Sequence, residues 1–314
     1  MMSLSLPGAI RVSATSLSEA RQAPARTQAQ RGGNPSPAFL ALAQCGVVAP
    51  SRLDQALRVL QGGSPLLICG PTGSGKSHTA LTLLAEAAPG DLPAILDIES
   101  EGEAELAAQI RGWSRAETPP PAALLIENID ALSPRLQKAL LGWLERLPMT
   151  GGQRPRLIAT SRHDAGVPAE LVPGLAHFLG GFVLDLPAVR ELESRERLTR
   201  HLLRLLQPEG TPGLSADTMA AIAAHDWPGN IRELRGALDI ARASCTGGLI
   251  APEDLPGHVA CKVGRTAEPG ESRDLAKALR LCDWNVSRAA KVMGMSRATI
   301  NRRIRELGLR RPGR

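Results

Sequence analysis

Between residues 50 and 187 the apolar positions fall into short continuous runs separated by longer stretches with helical spacing. The runs are Pro65–Cys69, Ala94–Ile98, Ala122–Ile126, Arg156–Thr160 and Phe182–Leu186. Short apolar runs bounded by turn residues or charges are the form of strands buried on both faces. The intervening stretches predict helices over Pro50–Leu60, Lys76–Ala87 and Glu103–Arg111. A further helix follows Ser133, where Leu136, Leu140, Trp143, Leu144 and Leu147 recur at helical spacing. Ser133 followed by Pro134 suits an N-cap and first helical position. Strands alternating with helices predict an α/β domain with a parallel sheet.

After Pro187 the strand signals stop. Residues 190–245 read as helices only, broken at Pro208–Gly213 and Pro228-Gly229, and predict a helical subdomain. The polar stretch Val259–Ser272, with its Gly and Pro, reads as a linker. Three helices are predicted beyond it: Asp274–Trp284, one starting at Asn285 or Ser287, and Ser296–Leu307, with Gly294 as a turn and Gly308 as a stop. Residues 1–35 are rich in Ser, Ala, Gln and Arg without a sustained period, and are expected to be disordered. The division is therefore 1–35 disordered, 36–188 α/β core, 189–258 helical subdomain, 259–273 linker and 274–314 a helix-turn-helix domain.

Charge sharpens this division. Residues 273–314 hold 12 Lys and Arg against 3 Asp and Glu, within a chain of net charge +6, which leaves the remainder at −3. A basic tail on a mildly acidic body points to a polyanion as the partner of the tail alone. Aromatics are 2% of the chain and Tyr is absent, so the core must be aliphatic. The five cysteines are odd in number and none form C-x-x-C, which argues against a zinc site or a disulfide framework. No apolar run approaches the roughly 18 residues of a membrane span, and no signal peptide is evident. A cytoplasmic chain without a membrane partner is expected.

The most specific chemistry lies after the first run. Gly70, Pro71, Thr72, Gly73, Ser74, Gly75, Lys76 and Ser77 fit the pattern G-x-x-x-x-G-K-[ST]. The glycines let backbone N–H groups converge on phosphate oxygens. Lys76 supplies charge at the β- and γ-phosphates, and the Ser77 hydroxyl is suited to Mg²⁺. The following helix aims its positive N-terminus at the anion. A P-loop therefore implies ATP or ADP with Mg²⁺ as the ligands. Hydrolysis also needs a carboxylate on a neighbouring strand and a group that orients the attacking water. The run Leu124–Ile126 ends in Glu127-Asn128, so Glu127 can reach toward Mg²⁺. Asn128 can bind a water but cannot take its proton.

Taken together, these residues resemble the AAA+ domain of bacterial enhancer-binding proteins, the NtrC class of sigma-54-dependent activators. The similarity runs from about Ser51 to Pro256. Its most specific block is Trp227-Pro228-Gly229-Asn230-Ile231-Arg232-Glu233-Leu234, similar to the sensor 2 signature, while Arg156–Arg162 is similar to the sensor 1 strand. The resemblance implies an AAA+ P-loop parallel sheet with a helical lid, followed by an all-α helix-turn-helix domain of the Fis type. It also implies that Arg232 contacts nucleotide phosphate from the lid. Three departures bear on activity. Walker B ends in Glu127-Asn128 where the family has Asp-Glu. The segment matching the arginine fingers, Val167–Leu175, holds no Arg, and its nearest positions are Pro168 and Gly174. The interval Glu99–Pro121 contains nothing like the GAFTGA loop that engages sigma-54. Retained nucleotide binding, slow or absent hydrolysis and no sigma-54 remodelling are expected.

The third C-terminal helix buries Ile300, Ile304 and Leu307 and presents a basic opposite face. Arg297, Ala298, Asn301 and Arg302 are candidates to face bases, and Ser296, Thr299 and Arg303 to hold phosphates. By resemblance to Fis-type domains, double-stranded DNA is the expected partner and a homodimer or higher homo-oligomer the expected state, with RNA polymerase a further candidate. The expected function is a nucleoid-associated bacterial transcription regulator that senses nucleotide. The alternative is an active AAA+ ATPase that remodels a protein–DNA complex.

Overall fold

A computed structural model describes residues 10–11, 35–117, 119–147, 154–206, 210, 212–245, 247–260 and 279. The chain divides into two compact units, residues 1–256 and 257–314. The first carries nearly all the described residues, and the helices expected between Asp274 and Arg314 lie outside them, apart from the single position 279.

The first unit begins with β1 (Ile10–Arg11), α1 (Pro37–Gln44), α2 (Pro50–Gln61), β2 (Leu66–Cys69) and α3 (Lys76–Ala87). Next come β3 (Ala94–Asp97), α4 (Ile98–Glu101), α5 (Glu103–Ser114), β4 (Ala123–Glu127) and α6 (Pro134–Arg146). The core closes with β5 (Arg156–Ser161), α7 (Pro173–Leu179) and β6 (Val183–Asp185). The sheet is parallel, in the order β1-β3-β4-β5-β2-β6. The five strands from β2 to β6 fall on the five apolar runs. β1 is one the pattern does not offer: two residues within a stretch expected to be disordered pair with Ala94 and Ile95 at the sheet edge.

Central strands are apolar on both faces because helices cover both. All four residues of β2 are buried, as are Ala123 to Ile126 of β4. Trp113 of α5 and Trp143 of α6 meet at 4.8 Å between ring centroids, tilted by 33°. They pack within a core that includes Leu106, Leu124, Leu140 and Leu157. The α6 cap is the one its sequence predicts, with Ser133 Oγ accepting from Leu136 N at 3.4 Å and Pro134 in first position.

The lid consists of α8 (Arg195–Leu206), α9 (Ala216–Ala224) and α10 (Asn230–Ser244). It is not purely helical as expected. Gly213–Leu214 and Leu249–Ile250 form a parallel pair, β7 and β8. Strands of two residues are too short to show a period, so the sequence carries no sign of them. The division of the chain after Pro256 falls two residues before the expected end of the lid at 258.

Trp143 is 2% exposed. Truncating a buried Trp removes its transfer energy and leaves a cavity, for a loss of about 3–5 kcal/mol. Trp143→Ala is expected to lower unfolding stability by that amount in a urea titration, whereas an exposed change such as Leu92→Ala should move it by under about 0.5 kcal/mol.

Candidate functional site

In a parallel α/β sheet, ligands bind at the carboxyl ends of the strands. Here that edge brings together the P-loop, which leaves β2, and the ends of β3, β4, β5 and β6. Cys69 is in register with Ser161 and Asp185, and Asp97 with Glu127.

Gly70, Gly73 and Gly75 all have positive φ, at 147°, 80° and 95°. The loop is also closely enclosed. A Cβ on Gly70 would lie 2.5 Å from Leu186 O, and one on Gly73 would lie 2.3 Å from Gly229 O. The loop opens α3 without a side-chain cap, since Gly75 occupies the cap position. The first amides of that helix are thus left for an anion.

Lys76 is 8% exposed, and its Nζ donates to Gly70 O at 2.7 Å and Pro71 O at 3.0 Å. Burial lowers its pKa, the Arg162 charge lowers it further, and Asp130 acts in the opposite sense. Among the described residues the Ser74 hydroxyl is buried with no hydrogen-bond partner. A glycine cradle, an uncapped helix start, a poised ammonium and an unsatisfied buried hydroxyl fit a polyphosphate. Ser77 is exposed in the first turn of α3. Glu127 is half-buried at the end of β4. These two would hold Mg²⁺, which neutralises phosphate charge when bound. Pro71 and Thr72 complete the loop, and their carbonyls accept from Lys76 Nζ and Asn230 Nδ2 respectively.

Asn128 adopts left-handed backbone at φ 53°. Its N–H donates to Thr160 Oγ1 at 3.2 Å, and its Oδ1 accepts from Arg162 Nε at 3.1 Å. A turn at Ile129–Ala131 brings Asp130 back to the sheet edge, where its Oδ1 accepts from Arg162 N at 3.3 Å. The loop Val167–Leu175 is pinned from below by buried Gln137. Gln137 Nε2 donates to Leu132 O and Glu170 O, and Oε1 accepts from Val172 N at 2.7 Å. Pro168 is buried, and a Cβ on Gly174 would meet Leu141 Cδ2 at 2.7 Å. Cys69 beside the P-loop donates Sγ–H to Gly166 O, and burial with the nearby Asp185 pushes its pKa up to about 12. It is a packed thiol, not a nucleophile.

The lid reaches the P-loop through Pro228–Arg232. Asn230 is 4% exposed, with φ 52°. Its Nδ2 donates to Thr72 O at 2.9 Å and its Oδ1 accepts from Val189 N at 3.0 Å. Arg232 N donates to Gly73 O at 3.2 Å, and the Arg232 Cβ is 3.3 Å from where a Gly73 Cβ would stand. Lid and loop are thus joined by hydrogen bonds, with the exposed Arg232 side chain beside the phosphate cradle. Sequence reasoning singled out Arg232 but missed Asn230 and Arg162, whose partners are 158 and 34 to 63 residues away. The candidate DNA-contacting residues Ser296, Arg297, Ala298, Thr299, Asn301, Arg302 and Arg303 lie outside the described residues.

This sheet, loop and lid define a P-loop nucleotide-binding domain of the AAA+ type. Three families tile the chain: the sigma-54 interaction domain matches residues 49–189, the AAA+ ATPase lid domain 190–272, and the Fis family of bacterial regulatory proteins 268–307. The acetoin catabolism regulatory protein of Cupriavidus necator is 31% identical over 84% of this chain and 46% of its own length. The alginate biosynthesis transcriptional regulatory protein AlgB of Pseudomonas aeruginosa is 27% identical, covering 96% of this chain and 75% of its own length. The crystal structure of NtrX from Brucella abortus in complex with ADP superposes with a TM-score of 0.53 at 21% identity, covering 83% of this chain and 68% of that one. The chain thus carries segments similar to a sigma-54 interaction domain, an AAA+ lid and a Fis-type domain in succession, and the relatives it matches are regulators of the NtrC class. It spans about half, 46%, of the first two curated relatives it matches.

Gly73→Ala places a methyl against Gly229 O at a backbone angle that favours glycine. It is expected to abolish ATP and ADP binding in titration while the protein stays folded by circular dichroism. Gly90→Ala, at another positive φ but with open space around it, serves as the control and should bind normally.

Proposed function

We propose that this protein is a sequence-specific, DNA-binding transcription regulator whose AAA+ module holds ATP or ADP with Mg²⁺ as a signal. In this reading hydrolysis is slow or absent, and sigma-54 holoenzyme is not remodelled. The observation that carries the hydrolytic half is Asn128. At the end of β4 the protein presents an amide whose oxygen is bonded by Arg162, where a water-activating carboxylate is required. The missing arginine in Val167–Leu175 supports the same reading, since such fingers are worth about 10³–10⁵ in rate. The missing GAFTGA sequence supports the loss of remodelling. Gly70 to Ser77, with Arg232, bind the nucleotide, and Ser77 and Glu127 face the metal.

The DNA half rests on the match of residues 268–307 to the Fis family and on the basic balance of residues 273–314. Ser296 to Arg303 supply the recognition helix. The ADP and ATP complexes of NtrX make a nucleotide the expected ligand of this module as well. Homodimers on inverted repeats, in the cytoplasm at the nucleoid, complete the proposal.

Selection of bound sequences from random DNA, with and without ATP, tests the regulator reading, and failure to enrich any sequence would overturn it. Lys76→Ala is expected to lose nucleotide binding by at least about tenfold, through loss of a charge-assisted phosphate contact. Steady-state turnover of the wild type is expected near background, and Asn128→Glu is the variant expected to raise it. Rapid turnover by the wild type would favour the remodelling ATPase instead.

A further inference from the structure

Two contacts dock the lid on the core, and a seam runs between them. At one end α10 lies on the P-loop: Arg232 N donates to Gly73 O, and Ile231 Cδ1 is 3.5 Å from where a Cβ on Gly75 would stand. At the other end α8 lies on the turn after α1. There Arg197 Nε donates to Gln44 O at 2.7 Å, and Arg197 Cδ is 3.2 Å from where a Cβ on Gly46 would stand. Helix spacing then fixes what lines the seam, because residues three or four apart share a helix face. Arg235 stands one turn beyond Ile231 on α10, His78 one turn beyond Gly75 on α3, and His201 one turn beyond Arg197 on α8. Arg204 follows His201 by three residues on the same helix.

These side chains are near enough to act on one another. Burial lowers the pKa of His78, and the Arg235 charge lowers it further. His201 is lowered in the same direction, first by burial, then by His78 and Arg204. Each of those neighbours is cationic or becomes so on protonation. The carboxylates of the same lid helices are engaged elsewhere: Glu196 with Arg200, Glu233 with Gly229 N, and Asp239 with Arg242. Water still reaches the seam, since His78, Arg204 and Arg235 are exposed and His201 is half-buried. A guanidinium has only donors, and an imidazole turns an N–H toward whatever acceptor it meets. Two of each, converging from three helices, suit a tetrahedral anion, and guanidinium groups match phosphate oxygens in pairs.

We propose that the seam between α3, α8 and α10 is a second anion site, in which His78, His201, Arg204 and Arg235 take a phosphate dianion apart from the cradle of the P-loop. The phosphate arrives free, or on the ribose of a nucleotide whose 5′-phosphates lie in the P-loop. In both cases it ties lid to core, because α3 belongs to the core and α8 and α10 to the lid. The site stands whether or not the P-loop holds a nucleotide, and only hydrogen bonds and ion pairs form in it.

The test follows thermal unfolding of the full-length wild type, His201→Ala, Arg235→Ala and Lys76→Ala in rising inorganic phosphate. Ionic strength is held constant with chloride, and Arg111→Ala, in the last turn of α5, serves as the control. Phosphate is expected to raise Tm in the wild type, Lys76→Ala and Arg111→Ala alike, because a ligand of the folded state stabilises it. His201→Ala and Arg235→Ala should each need at least about tenfold more phosphate for the same rise. If His201→Ala fails to fold, the exposed Arg235→Ala still decides. Titration with ADP and with ADP bearing a 3′-phosphate separates the two sources. If the nucleotide carries the anion, the 3′-phosphate tightens binding by about tenfold or more, and Arg235→Ala removes that gain while leaving ADP within about twofold. If free phosphate is the ligand, the 3′-phosphate gains nothing, and ADP and phosphate bind together. A phosphate effect no larger than that of chloride, with no gain from the 3′-phosphate, overturns the site. So does an effect that ignores His201 and Arg235, or one that Lys76→Ala abolishes, since the phosphate then sits in the P-loop. Should ADP fail to bind while phosphate still acts through His201 and Arg235, the nucleotide reading falls and the seam stands.

Discussion

The whole assembly depends on how tightly two backbone carbonyls enclose the phosphate loop. Leu186 O closes on Gly70 from the β6 side, and Gly229 O closes on Gly73 from the lid. Neither approach leaves room for a side chain, so these glycines are required by contact as well as by φ. Because one carbonyl belongs to the sheet and the other to the lid, the loop is the place where both are held together. Sheet order, strand register and the docking of α10 all converge on Gly70–Gly75, three of whose six residues are glycine.

In the proposed reading, binding groups are kept around that loop and reactive ones are lost. Lys76, Ser77, Glu127 and Arg232 surround the cradle, and each can act on a phosphate or a metal without gaining or losing a proton. The position after β4 carries the amide of Asn128, and the segment Val167–Leu175 holds no arginine. A fold that must open and close around an anion needs only the first set. In that reading the AAA+ framework serves as a receptor, its central strands held by a core in which Trp113 and Trp143 pack together.

The sequence reveals the parts whose information is local. The five apolar runs, the Ser133-Pro134 start and the P-loop spacing are each contained within a dozen residues, and each is found where expected. What stays hidden is set by distance along the chain. Asn230 stands in the block similar to the sensor 2 signature, where only Arg232 is given a contact, yet it bonds Thr72 and Val189. Arg162 closes the segment similar to the sensor 1 strand and is given no role there, yet its side chain bonds Asn128 after β4 and Glu99 after β3. β1, β7 and β8 are two residues each and owe their pairing to neighbours, not to a pattern of their own. The amide at Asn128 was legible, but the arginine that occupies it was not.

The bond from Asn230 to Thr72 O has an electronic side. Thr72 O and Gly73 N–H belong to the same peptide unit, and a hydrogen bond accepted at the oxygen of an amide draws electron density away from its nitrogen and makes that N–H a stronger donor. The side chain of one lid residue therefore sharpens the partial positive charge that the loop turns toward an anion. A phosphate accepting from Gly73 N–H would engage the opposite end of the resonance-stiffened plane that the lid holds through Thr72 O. For a P-loop that binds phosphate, the docking of α10 would in this way bear on affinity through a single hydrogen bond.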